Sequence, residues 1–216
     1  MKLTFIILAN LLSFEVAFSI FMWGAGFLNS ESALTFQMFD VICLGLLIPL
    51  SMKNVPFPFA RKLPVVSFMI LAVARFCAKP VILTFASMLG FTTFTPILPL
   101  NLVTILFSVN AGIAEESFIV CVTNLVPMLI ANVIKSQPNR VTVCAGGIVA
   151  VVVWASSHAL TTGYNLPSVV ALIIEGMVGF VLVYWKGNYG PLMVGHSAWD
   201  FVAMTDIVHL LLRFFA

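Results

Sequence analysis

The chain has 216 residues, of which 62% are hydrophobic and only 8% charged, with a formal net charge of +2. A soluble domain carries about 25% charged residues, so this chain lacks the charge to cover a water-soluble globule and reads as a single membrane domain, residues 1–216, with short loops. The small net charge, on basic residues that stand singly or in pairs, excludes nucleic acid as a partner and leaves the lipid bilayer as the implied surroundings.

A membrane helix needs about 20 mostly apolar residues. The first candidate, 3–28, follows Lys2 and contains Glu15. It is longer than a signal-peptide core of about 7–15 residues, so it is expected to be an uncleaved first span. The next candidates are 33–52, 65–89, 97–134, 142–160, 168–185 and 190–214. Turn chemistry separates them: Asn29-Ser30-Glu31-Ser32, Lys53-Asn54-Val55-Pro56-Phe57-Pro58, Ser136-Gln137-Pro138-Asn139-Arg140 and Lys186-Gly187-Asn188. The expected fold is all-α, a polytopic transmembrane helical bundle of seven or eight spans. The range comes from two stretches. One is 97–134, long enough for two spans, with Asn110-Ala111-Gly112 near its middle. The other is 65–89, which contains Arg75, Lys79 and Pro80. Counting 97–134 as one crossing puts Lys2, the Lys53/Arg61/Lys62 loop, the Lys135/Arg140 loop and Lys186 on one side. By the positive-inside rule that side is cytoplasmic and the N-terminus is inside. The expected location is the cell membrane.

Cys43, Cys77, Cys121 and Cys144 form no CxxC pair and fall in separate apolar stretches. They are expected to be small buried apolar residues with no metal or redox role.

Ionisable groups inside spans cost about 2.5–3.5 kcal/mol each on insertion scales and mark function by default. Here they include Glu15, Asp40, Arg75, Lys79, Glu115, Glu116, His158, Glu175, His196 and Asp200. Three sets form a pattern. Glu115 and Glu116 are adjacent, and two carboxylates side by side in apolar surroundings cannot both ionise cheaply, which suits general-base work. The bland alternative is a pair at a helix start facing water. Trp154 and His158 are four apart and share a helix face. So do His196 and Asp200, a pair in which the carboxylate can orient the imidazole or share a water or metal with it; the bland alternative is a self-neutralising pair closing the bundle.

In this order, the three sets resemble the CAAX-processing and bacteriocin-processing (CPBP, or Abi) membrane protease family. That family shows Glu-Glu-xxx-Arg, then Phe-xxx-His, then His-xxx-Asn or Asp, each on its own membrane helix. Here the elements read Glu115-Glu116-Ser117-Phe118-Ile119-Val120, Trp154-xxx-His158 and His196-xxx-Asp200. The resemblance covers the C-terminal half, about residues 100–205. Two positions depart from the motif: Trp154 replaces phenylalanine, and Val120 stands where the arginine would be. The second departure leaves Glu116 without the motif's cation and predicts that Val120→Arg is tolerated and pairs with Glu116.

The resemblance implies an intramembrane endopeptidase of the glutamate type, acting on a peptide or membrane-protein substrate. Glu115 would be the general base on a water, helped by His158. His196 would stabilise the oxyanion, Asp200 would orient His196, and Glu116 would tune Glu115. Glu115, His158, His196 and Asp200 are also acceptable zinc donors, but no HExxH spacing accompanies them, and catalysis without a metal or other cofactor is the expectation. A different class of function uses the same residue types: a proton- or ion-coupled transporter, which Glu15, Asp40 and Glu175 fit better, although no repeated halves are visible. A catalytically inactive relative serving as an immunity or binding protein is the third reading.

Overall fold

Each loop signature in the C-terminal part of the sequence falls between two helices. In the computed structural model the described residues are 61–90, 99–161 and 166–207, together with Asn29 and Ser32. They form five α-helices: α1 (Val65–Met88), α2 (Leu102–Val133), α3 (Arg140–Thr161), α4 (Leu166–Lys186) and α5 (Gly190–Met204). The spans expected at 3–28 and 33–52, with Glu15, Asp40 and Cys43, lie outside the described residues, as does the end of the seventh stretch beyond 207.

The helix ends follow local chemistry. Asn101 caps α2: its Oδ1 accepts from Thr104 N at 3.0 Å, and Thr104 Oγ1 accepts from Asn101 N at 3.1 Å. Asn139 and Thr142 repeat this reciprocal arrangement at the start of α3, at 3.0 and 2.9 Å. These pairs satisfy backbone donors that a helix start leaves open. Just past the end of α2, Lys135 adopts φ 51°, and Ser136 N donates to Ala131 O at 2.9 Å. This closing bond is the Schellman pattern. At the end of α4, Gly187 takes φ 73°, a left-handed conformation that costs glycine nothing.

Both stretches that left the span count open are single helices. α1 runs through Pro80 without interruption, and α2 is one helix of 32 residues. Gly112 marks a contact within α2. A Cβ there would sit 2.5 Å from Ser197 N and 2.9 Å from the His196 carbonyl carbon, so the missing side chain lets α5 approach α2 backbone to backbone. Gly112→Ala is therefore expected to push α5 away and carry His196 with it. Overpacking of this kind costs about 1–3 kcal/mol, to be read as a lower thermal unfolding midpoint of the purified protein in detergent.

The contacts fix the directions of the helices. Gly146 of α3 meets Thr123 and Pro127 of α2, whereas Trp154 further along α3 reaches Glu115 earlier in α2, so the two run antiparallel. Gly147 and Gly176 pair α3 with α4, against Phe180 and Val151, in the same antiparallel sense. α1 and α5 run parallel: Phe68 lies on Gly190, Ala72 on Gly195, and Phe76 packs its ring 6.1 Å from Trp199. Arg61 N donates to Gly187 O at 2.7 Å and Asn188 Nδ2 to Arg61 O at 2.7 Å, tying the chain ahead of α1 to the α4–α5 connection. Arg61, Lys62, Lys135, Arg140 and Lys186 thus gather at one end of the bundle, the end where α1, α3 and α5 begin and α2 and α4 finish.

Four helices, α1 to α4, are long and apolar enough to cross a membrane. The fifth has 15 described residues. The bundle carries large apolar side chains on its outside, among them Ile70, Val73, Val153, Ile174 and Val181, as a surface bathed in lipid tails requires. Its inside holds an apolar core that includes Phe118, Val151, Trp154, Leu172 and Phe180. The same interior also encloses charged groups: Arg75, Lys79, Glu116, Glu175, His196 and Asp200 are all buried. Of the cysteines, Cys121 is buried and Cys144 half-buried, but Cys77 is exposed on α1, so the expectation of burial fails there. The inward face of α1 is taken by Arg75 and Lys79, which turns Cys77 outward.

Candidate functional site: a buried cluster of acids, histidines and cations

Glu115, Glu116, His158, His196 and Asp200 come from three helices and meet in one cluster. Adjacent positions on a helix point about 100° apart, and the two glutamates divide accordingly. Glu116 points inward, where its Oε1 lies 2.9 Å from His196 Nδ1. Glu115 points toward α3, where Trp154 Nε1 donates to its Oε2 at 2.8 Å and His158 Nε2 stands 3.8 Å away. His196 Nε2 faces the same Glu115 oxygen at 3.4 Å. The Trp154 ring stacks edge-on to both histidines, with centroids 5.0 Å from His158 and 6.1 Å from His196.

Three charged residues outside the sequence motifs, Arg75, Lys79 and Glu175, complete the cluster. Arg75 donates through Nη2 and Nε to Glu116 Oε1, at 2.8 and 3.2 Å, and through Nη1 to Glu175 Oε1. Its fork thus holds two carboxylates from two helices. Lys79 Nζ lies 2.6 Å from His196 Nε2 and 3.4 Å from Asp200 Oδ1. Arg75 and Lys79 are four apart on α1, and His196 and Asp200 are four apart on α5. Because α1 and α5 run parallel, the two pairs form a ladder across their interface.

Two sequence expectations are corrected here. Glu116 does have an arginine partner, supplied by α1 rather than by position 120. Val120 is fully buried in the apolar core, so Val120→Arg is expected to force that packing apart rather than to be tolerated. Glu175, which lies outside the three motifs and by sequence fits a transporter better, belongs to the same cluster through Arg75.

Taken as an ammonium, with three donors and no acceptor, Lys79 donates to His196 Nε2 at 2.6 Å, which assigns the imidazole proton to Nδ1, 2.9 Å from Glu116 Oε1 and 3.4 Å from Arg75 Nη2. Asp200 Oδ2 is 3.6 Å from Nε2, too far for a hydrogen bond, so Lys79 is its nearer partner. His158 is anchored through Nδ1, 3.0 Å from Trp154 O.

Burial is graded across the cluster. The side chains of Arg75, Glu116, Glu175 and His196 are at most 3% exposed, whereas Glu115 and His158 keep 14–15% and Lys79 and Asp200 keep 10%. The first group forms a closed floor and the second a rim with some access. Lys79 occupies the Nε2 lone pair that a zinc ion would need, and among the described residues no set of three or more His, Cys, Asp or Glu side chains is arranged to hold a metal ion. In comparisons with known proteins, no family model matches the chain, and no curated protein or solved structure matches it significantly.

Proposed function

We propose that the chain is an intramembrane endopeptidase resembling the CPBP type, in which Glu115 activates a water that attacks a peptide bond of a membrane-embedded substrate. The observation that carries this reading is the meeting of Glu115 with Trp154, His158 and His196, residues 39 to 81 positions away in sequence, on the less deeply buried side of one charged cluster. A bundle stabilised by its apolar core alone would gain nothing from bringing these groups together. In the proposed reaction the Glu115 carboxylate takes the water's proton with His158 alongside it, while His196, held by Glu116, closes the floor behind them. The proposal places the protein in the cell membrane with its N-terminus and the Arg61/Lys135/Lys186 end in the cytoplasm. With α1 and α2 each a single helix, it has seven spans. At about 1.5 Å rise per residue Arg75 lies about 15 Å along α1, near the midplane of a hydrocarbon core about 30 Å thick.

A second reading, a proton-coupled transporter, draws on the chain of ionisable groups Glu175–Arg75–Glu116–His196–Lys79–Asp200. Purified protein separates the two. Turnover of fluorescently labelled membrane peptides in detergent, absent in Glu115→Gln, is the result expected of the protease. Proton flux in proteoliposomes with no peptide turnover would replace it with the transporter. Within the protease reading, Asp200→Asn is expected to keep substantial activity, because the amide oxygen still accepts from Lys79. The check is the turnover number of the variant against the same peptide panel.

A further inference from the structure

Among the described residues, the rim of the cluster holds one cation, Lys79. Arg75 is closed off in the floor, both faces of its fork engaged by Glu116 and Glu175. Lys79 sits at the rim beside Asp200, and Glu115 and Lys79 both approach the same atom, His196 Nε2, at 3.4 and 2.6 Å. A general base and an ammonium therefore flank one small region. In this tautomer His196 offers no N–H at Nε2, because that nitrogen accepts from Lys79, and the N–H at Nδ1 faces Glu116.

We infer that Lys79 is a catalytic residue of the proposed hydrolysis and that its ammonium, not the His196 imidazole, stabilises the oxyanion of the tetrahedral intermediate. The inference rests on the protease reading above. Of the three N–H groups of Lys79, one is directed to His196 and one to Asp200; no described residue takes the third, which is left for the substrate carbonyl oxygen. The step balances. Glu115 removes a proton from water as the water oxygen bonds to the carbonyl carbon, and the carbonyl π pair moves onto oxygen, where Lys79 donates to it. On collapse the pair re-forms the C=O bond, the C–N bond breaks, and the leaving nitrogen takes the proton from Glu115. His196 and Asp200 hold the ammonium in place beforehand, so no reorganisation is needed as charge develops.

The test compares wild type, Glu115→Gln, Lys79→Met and Lys79→Arg in detergent. Each is assayed for peptide turnover, thermal unfolding and binding of a peptidyl phosphonate, an anionic mimic of the tetrahedral intermediate. Loss of one oxyanion donor costs about 10²–10³ in kcat, so Lys79→Met is expected to lose that much with KM little changed. Its phosphonate affinity should fall in parallel with kcat/KM, as transition-state complementarity requires, and Lys79→Arg should recover part of both. A purely structural lysine would lower the unfolding midpoint without that parallel. Should Lys79→Met fail to fold, Lys79→Arg carries the test, since it moves the charge, and its kcat and phosphonate affinity are expected to fall together. Lys79 variants that keep wild-type kcat, in a protein whose turnover Glu115→Gln abolishes, overturn this inference and leave the protease reading standing. A wild-type protein without turnover overturns both.

Discussion

On the proposed protease reading, Glu115→Gln is expected to abolish hydrolysis while leaving the fold intact. The substitution is nearly isosteric, and the amide oxygen can still accept from Trp154 Nε1, which lies 2.8 Å from the present carboxylate. The neighbouring histidines lose a partner at 3.4 and 3.8 Å, beyond close hydrogen-bond contact, so little native stabilisation is at stake. What disappears is the ability to accept a proton from water. Removing a general base costs about 10²–10⁴-fold in rate, and the loss should appear in kcat. Glu116→Gln should behave differently. Glu116 is the acceptor for both Arg75 and His196, so its amide variant leaves the Arg75 charge under-compensated and should lower the unfolding midpoint as well as the rate. Equal turnover by wild type and Glu115→Gln would remove Glu115 from the chemistry.

The helices of the C-terminal half were legible because each is predominantly apolar and several begin or end at asparagine, glycine or proline. Asn101, Asn139, Gly187 and Pro191 sit at helix ends, and the sequence reading put breaks at Asn139 and Gly187. Asn110-Ala111-Gly112 misled in one respect. Glycine inside a helix signals either a break or a close approach, and only the position of α5 shows that Gly112 is the second. Within the site, spacing exposed the pairs Trp154/His158 and His196/Asp200, because an i,i+4 relation is local. The partners of Arg75 were not legible. Glu116 and Glu175 lie 41 and 100 residues away, and no local pattern encodes such a distance. The one signal was energetic: a charge in the middle of a span requires an opposite charge somewhere. Arg75 and Lys79 share a helix face, as His196 and Asp200 do, and matching a cationic stripe to an acidic one was available in principle. The missing arginine at position 120 drew attention to α2 instead, when the compensating cation lay on α1.

Arg75→Met is expected to be the most destabilising single change in the described part of the chain. Arg75 is 3% exposed and its guanidinium serves Glu116 and Glu175 together. Methionine fills comparable length with apolar atoms but leaves two buried carboxylates without their shared cation. Breaking a buried ion pair by removing one partner costs about 3–5 kcal/mol, a large part of the 5–15 kcal/mol that typically holds a domain together. Lysine is no substitute, because a point charge cannot reproduce a fork that reaches two helices. Thermal unfolding in detergent, followed by intrinsic tryptophan fluorescence, should show a large fall in midpoint for Arg75→Met and a smaller one for Arg75→Lys. Adding Glu175→Leu to Arg75→Met should recover part of the loss, since it removes one of the two stranded carboxylates, whereas Glu175→Leu alone should be mild because Glu116 still neutralises Arg75. Adding Val120→Arg should recover nothing. The position is one turn from Glu116, as the family motif would have it, but Val120 is fully buried against apolar neighbours, and an arginine there must force the core apart before it can reach the carboxylate. An Arg75→Met protein as stable as wild type would mean that the three-way pairing does not hold α1 to the bundle. Rescue by Val120→Arg would mean that the motif position is the true seat of the cation.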